Sequence, residues 1–109
     1  MITGTVTRQG IYEDKRDICE LYISKESADK LPHQHGRKKL ISLSIGSTQY
    51  EAGVHETKEG VVWISSVLYK KSTRREKVRL VDALATIGLR TRDAIRIRRH
   101  DDGTYTVET

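Results

Sequence analysis

Two stretches of this 109-residue chain gather long hydrogen-bonding side chains of both charges. The first runs from Arg8 to Asp17 and holds Arg8, Gln9, Tyr12, Glu13, Asp14, Lys15, Arg16 and Asp17. The second, His55 to Gly60, holds His55, Glu56, Thr57, Lys58 and Glu59. Side chains of these kinds read base edges: Arg or Lys pairs with guanine, Gln with adenine, and Asp or Glu accepts from the cytosine amino group. A surface that only grips phosphates gains nothing from carboxylates, so Glu13, Asp14, Asp17, Glu56 and Glu59 point towards sequence readout if these loops meet DNA. A pair of solvated loops would have the same composition. A second set is almost purely basic: Arg37, Lys38 and Lys39, then Lys70, Lys71, Arg74 and Arg75. These suit phosphates, which position a protein without specifying sequence.

Other chemistry finds less support. Cys19 is the single cysteine, which excludes an internal disulfide and a cysteine zinc site. It falls on the inward face of its strand, where an inert buried thiol is expected. There is no nucleophile elbow, phosphate loop or dinucleotide fingerprint. His33 and His35 lie two apart in a loop, and two ligands do not make a metal site. His55 and His100 sit at strand ends. The carboxylates stand beside Lys and Arg, as surface pairs do. No catalysis, metal or cofactor is expected.

The formal net charge is +5 and the pI about 9.5, which favours polyanions. With 36% hydrophobic and 32% charged residues, a small core under a solvated shell is expected, as one domain over 1–109. Met1-Ile-Thr-Gly is no signal peptide and no apolar run reaches membrane length. A cytoplasmic protein without a membrane partner is expected, nucleoid-associated when bound to DNA.

The elements that must position these loops follow from apolar spacing. Alternation predicts strands at Ile2–Val6, Cys19–Ile23, Ile41–Ile45, Tyr50–Val54, Val61–Ile64, Ile95–Ile97 and Tyr105–Val107. The Arg8–Asp17 connection is longer than a tight hairpin requires. Ser24 is an N-cap candidate for a helix of barely two turns that Pro32 stops. Gly46-Ser47 and Asp101-Asp102-Gly103 suit hairpins. Val67–Lys71 reads as one helical turn and Ser72–Lys77 as a charged connector. Leu80, Ala83, Leu84 and Ile87 predict a second helix, with Gly88 at its left-handed cap and Leu89 packing back on Leu84. The expected fold is mainly β with two short helices, seven strands, mostly antiparallel, closing into a small barrel.

The stretch Leu21-Tyr-Ile-Ser-Lys-Glu-Ser-Ala-Asp-Lys-Leu-Pro32 resembles the plant B-three DNA-binding domain. That family has a strand reading apolar-x-Ile-Pro-Lys, then a short helix with an Ala and a Leu-Pro or Phe-Pro end. Ile23, Lys25, Ala28 and Pro32 match, and Ser24 replaces the proline. The piece Gly88-Leu-Arg-Thr-Arg-Asp-Ala-Ile95 resembles the family's later Asn-Leu-x-x-Gly-Asp motif, with Arg92 at the glycine. Bacterial relatives are the recognition or effector domains of EcoRII- and BfiI-like restriction endonucleases.

The resemblance implies a seven-stranded open pseudobarrel that clasps the major groove with two arms. The arms correspond here to Arg8–Asp17 and about His55–Gly60. On this reading the chain is a monomeric, non-catalytic domain whose partners are double-stranded DNA and a nuclease domain or subunit. The base-reading set is Arg8, Gln9, Tyr12, Asp14, Lys15, Arg16, Asp17, His55, Glu56, Thr57, Lys58 and Glu59. The phosphate set is Lys25, Arg37, Lys38, Lys39, Lys70, Lys71, Arg74 and Arg75. The rival readings are a swapped-hairpin transition-state regulator built around Val61–Val107, a small barrel enzyme or ligand-binding protein using His55 and Trp63, and an RNA-binding barrel.

Overall fold

In strand after strand, every second residue is apolar and faces one shared interior. The computed structural model describes residues 1–72 and 74–108, so Thr73 of the charged connector and Thr109 lie outside the described residues. The strands are β1 (Ile2–Ile11), β2 (Asp17–Ile23), β3 (Lys39–Ile45), β4 (Thr48–Glu56), β5 (Val62–Ile64), β6 (Val67–Lys70), β7 (Lys77–Arg79), β8 (Ala94–Arg99) and β9 (Tyr105–Glu108). A 3-10 helix covers Lys25–Lys30 and α1 covers Leu80–Ala85.

Seven strands form a ring in the order β3-β9-β8-β1-β2-β5-β4, which pairing between β3 and β4 closes. The implied open pseudobarrel is therefore a closed one. Closure leaves the ring no free edge, and it is complete within one chain. All its pairings are antiparallel except β3 with β9. The interior is filled with side chains, as expected for so small a barrel: Ile2, Val6, Leu21, Ile23, Leu43, Ile45, Ile64 and Ile97 are all at most 1% exposed. Cys19 is buried among them.

Two expectations are corrected outside the ring. Val67–Lys70 is strand β6, not a helical turn, and pairs with β4 and β7. Only Leu68 of β6 is fully buried, so the segment carries too few apolar positions to show its period. The connector's last residue, Lys77, begins β7, and the two strands form a ribbon appended to β4.

The first helix is a 3-10 helix, the form that short helical pieces often take. Ser24 occupies its N-cap position, yet its hydroxyl accepts from Thr3 Oγ1 at 3.0 Å instead of capping. Buried Ser27 accepts from the Thr3 amide at 3.1 Å. Both serines thus clamp the helix to the start of β1. The end of α1 is as expected: Gly88 has φ +78°, its amide donates to Ala85 O, and Leu89 N–H donates to Leu84 O.

Gly4 lies where β1 crosses β2, and a Cβ there would sit 2.2 Å from the backbone oxygen of Tyr22. Backbone cannot swing aside as a side-chain tip does. Gly4→Ala should cost about 3 kcal/mol, the upper part of the overpacking range, read as a lowered denaturant midpoint. An unchanged midpoint would contradict the close approach.

Candidate nucleic-acid interface

The ring does not use the full length of its first hairpin. Strand β1 pairs with β8 only from Ile2 to Thr5, and β2 pairs with β5 only at Leu21 and Tyr22. Beyond these points no third strand flanks β1 or β2, from Val6 to Ile11 and from Asp17 to Glu20, although Val6 and Cys19 still face the core and Val6 exchanges backbone bonds with Arg92 and Asp93. The pair stands off the barrel as a two-stranded ribbon, with a bulge between Arg8 and Gly10. The expected long loop is therefore mostly strand. Its absent period reflects a ribbon with little core to face, as half-exposed Ile11 shows. The turn is Tyr12–Arg16, closed by Tyr12 N–H to Arg16 O and Lys15 N–H to Tyr12 O. Lys15 holds φ +75°.

The ribbon is braced from behind. Arg79 Nη1 donates to Asp14 Oδ2 at 2.7 Å, and the same guanidinium sits 3.8 Å over the Tyr12 ring. The Arg16 amide and then the Arg79 guanidinium hold the Asp14 carboxyl below its ordinary value. Arg16 pairs with Asp82 of α1 at 2.8 Å. Asp17 accepts from Thr91 Oγ1 at 2.6 Å and lies 3.3 Å from Arg8 Nε. Asp14, Arg16 and Asp17, expected among the base readers, thus have their polar groups paired within the chain, and the ring of Tyr12, also expected there, lies under Arg79. Glu13 and Lys15 are exposed at the tip, and among the described residues their side chains have no partner. Gln9 is exposed and bonds only to Thr7.

The second arm is the short turn after β4. Thr57 N–H donates to Val61 O, Gly60 N–H to Thr57 O, and Val61 N–H to Thr57 Oγ1 at 3.1 Å. Lys58 and Glu59 are exposed at its tip. His55 and Glu56, grouped with this loop in the sequence, belong to β4. His55 is on the barrel's outer face, stacked on Trp63 with centroids 4.1 Å apart, and its Nε2 lies 2.6 Å from Ser65 Oγ. Burial, and then the charge of Lys38, lowers its pKa. Glu56 Oε1 lies 3.2 Å from His33 Nδ1, within ion-pair range but off hydrogen-bond geometry.

The two tips lie at opposite ends of the wall β1–β2–β5–β4. Six residue steps along β2, from Asp17 to Ile23, span roughly 20 Å at about 3.3 Å per residue.

The basic set divides between two places. Lys25 lies at the second arm's end of the barrel, where it lines a notch with Glu59 and Gly60. The loop holding Arg37 and Lys38 enters β3 at Lys39 at the same end, and the stem of Lys38 lies across Gly53. Lys70, Lys71, Arg74 and Arg75 cap the β6–β7 ribbon. There Lys70 pairs with Glu76, Arg75 with Glu51, and Lys71 donates to Ser42. Exposed pairs of this kind are weak and can be exchanged for phosphate.

Sequence reasoning missed the bracing residues Arg79, Asp82 and Thr91. It also missed a groove of about 600 Å³ beside the ribbon, where Thr5, Thr7, Arg8, Gln9, Thr91 and Arg92 meet. Alternation along β1 would have placed the threonines outward, but nothing local brings Thr91 and Arg92 to them. Among the described residues no group of three or more His, Cys, Asp or Glu could hold a metal ion. Among the described residues no helix is long and apolar enough to cross a membrane.

Comparison with protein-family models, with curated proteins and with solved structures found no match to this chain.

Arg79→Ala should loosen the first tip without touching the core. Hydrogen exchange at the Tyr12 and Lys15 amides should speed up while Leu43 stays protected. Unchanged exchange at the tip would show that the brace does not hold it.

Proposed function

We propose that this chain is a sequence-specific double-stranded DNA-binding domain of the B-three type, without catalysis of its own. In this reading it serves as the recognition or effector domain of a bacterial restriction endonuclease system. The observation that carries the reading is the braced ribbon. A two-stranded β-ribbon is one of the two elements that a major groove about 12 Å wide admits. This one is held by Arg79, Asp82 and Thr91, so ordering it on DNA costs little entropy.

Gln9, Glu13 and Lys15 are the base readers at this arm, and Lys58 and Glu59 at the other. Asp14, Arg16 and Asp17 orient the first arm. Arg8 and Arg92 of the adjoining groove, with Lys25, Arg37, Lys38 and Lys39 at the far end, hold phosphates. Lys70, Lys71, Arg74 and Arg75 add an outlying phosphate contact. One backbone detail supports the family resemblance: Arg92 has φ +78° at the position where the family's motif carries glycine.

Lys15→Ala should lower discrimination between the preferred and a scrambled duplex by about 1–3 kcal/mol. Lys71→Ala should weaken both duplexes alike and reduce the salt slope by about one. Equal loss on both duplexes for Lys15→Ala would remove the ribbon tip from the readers.

A further inference from the structure

The wall between the two arms carries a row of flat rings that the duplex reading does not use. Tyr22, Trp63 and His55 are cross-strand neighbours, Tyr22 opposite Trp63 and Trp63 opposite His55. Their strand neighbours Leu21, Val54, Val62 and Ile64 all face the core, so the three rings point outward. Tyr22 is 38% exposed. His55 and Trp63 stack on each other, planes 16° apart and centroids 4.1 Å apart, so each covers one face of the other and the faces left for a base are the outer ones. Aromatic residues are sparse here, five Tyr and one Trp with no Phe, and Tyr50 and Tyr105 are buried. Placing the only Trp and an exposed Tyr in one outward row is not what core packing demands.

The surroundings of the row are those of a nucleic-acid strand site. At one end, Tyr22 borders a notch of about 240 Å³ with Lys25, Glu59, Gly60 and Val61. That is below the roughly 300–1,000 Å³ typical of pockets for whole small molecules. At the other end, Lys38 lies across Gly53 beside His55, its stem on the sheet. Burial, and then the charge of Lys38, lowers the basicity of His55 and so disfavours a charged ring there. Lys25 and Lys38 thus flank a stacking surface on a chain of net charge +5. Glu59, at the rim of the notch, can accept from an exocyclic amino group.

We propose that the outward row Tyr22–Trp63–His55 is a stacking platform for the unpaired bases of single-stranded nucleic acid, with Lys25 and Lys38 holding the phosphates on either side. In a duplex the base faces are covered by their neighbours, so a platform of rings selects bases that are not stacked. Aromatic stacking is tolerant of sequence, because every base has a flat face. The rings themselves lie on the wall between the arm tips and take no part in the duplex reading, whereas Glu59, Lys25 and Lys38 are shared with it.

Trp63 is the only tryptophan, so its fluorescence reports this site in the intact chain. Titration with a short oligodeoxythymidylate should quench it saturably, and an abasic strand of equal length should not. Tyr22→Ala should weaken binding about tenfold, while Tyr22→Phe, which keeps the ring, should bind as the parent chain does. Circular dichroism confirms that each variant is folded. Equal quenching by the abasic strand would reduce the site to charge attraction and overturn the proposal. So would the absence of quenching, or an unchanged affinity in folded Tyr22→Ala. Anisotropy of a labelled duplex, measured alongside, tests the arms separately, so either reading can fail alone.

Discussion

Strand β1 has a neighbour on each side only as far as Thr5, and the rest of the molecule follows from where that ladder stops. Up to Thr5 the strand is barrel wall, tied by Thr3 to the two serines of the 3-10 helix and pressed against β2 at Gly4. From Val6 onward it is half of a two-stranded ribbon whose base, at Val6 and Cys19, is still in the core. An unsupported two-stranded ribbon is marginal in water. This one survives because α1, β7 and the loop from Leu89 to Asp93 lie against it. The loop contributes two backbone bonds to Val6, one in each direction, as well as Thr91. The brace and the barrel therefore divide the work. The barrel supplies the buried apolar area that keeps the chain folded, and the brace turns one hairpin into a fixed projection.

Side chains that are good hydrogen-bonding partners for DNA are also good partners for one another. In the first arm the chain has used most of them internally: Asp14 with Arg79, Arg16 with Asp82, Asp17 with Thr91 and Arg8. Pairs at this exposure add little to stability, but several together fix a direction. What remains outward is a short set, Gln9, Glu13 and Lys15. Fewer contacts made from a rigid support lose less entropy on binding than many made from a mobile loop.

The ring strands were legible because burial of one face forces period-2 alternation, as Ile41-Leu43-Ile45 and Ile95-Ile97 show. The cap at Gly88 was legible because it is local chemistry. Strand β6 was not, since Leu68 alone faces the core and Val67-Leu68-Tyr69 has no alternation to read. The ribbon reads as a loop in the sequence for the same reason: its order comes from backbone pairing, which leaves no trace in hydrophobic spacing. The pairing of β3 with β4 was legible in the Gly46-Ser47 turn, whereas the parallel pairing of β3 with β9 leaves no local mark. The brace joins residues 65 to 74 positions apart, beyond the reach of any local signal. The charged neighbours of His55 in the sequence suggest an arm residue, whereas the register of β4 puts it on the barrel wall against Trp63.

Selection of bound duplexes from a random pool, carried out at two salt concentrations, tests the account most directly. A braced reading ribbon predicts one short enriched motif that persists at the higher salt. Phosphate contacts weaken with salt on every sequence alike, while base contacts keep their preference. Binding without an enriched motif, lost uniformly as salt rises, would reduce the chain to a basic surface and contradict the account.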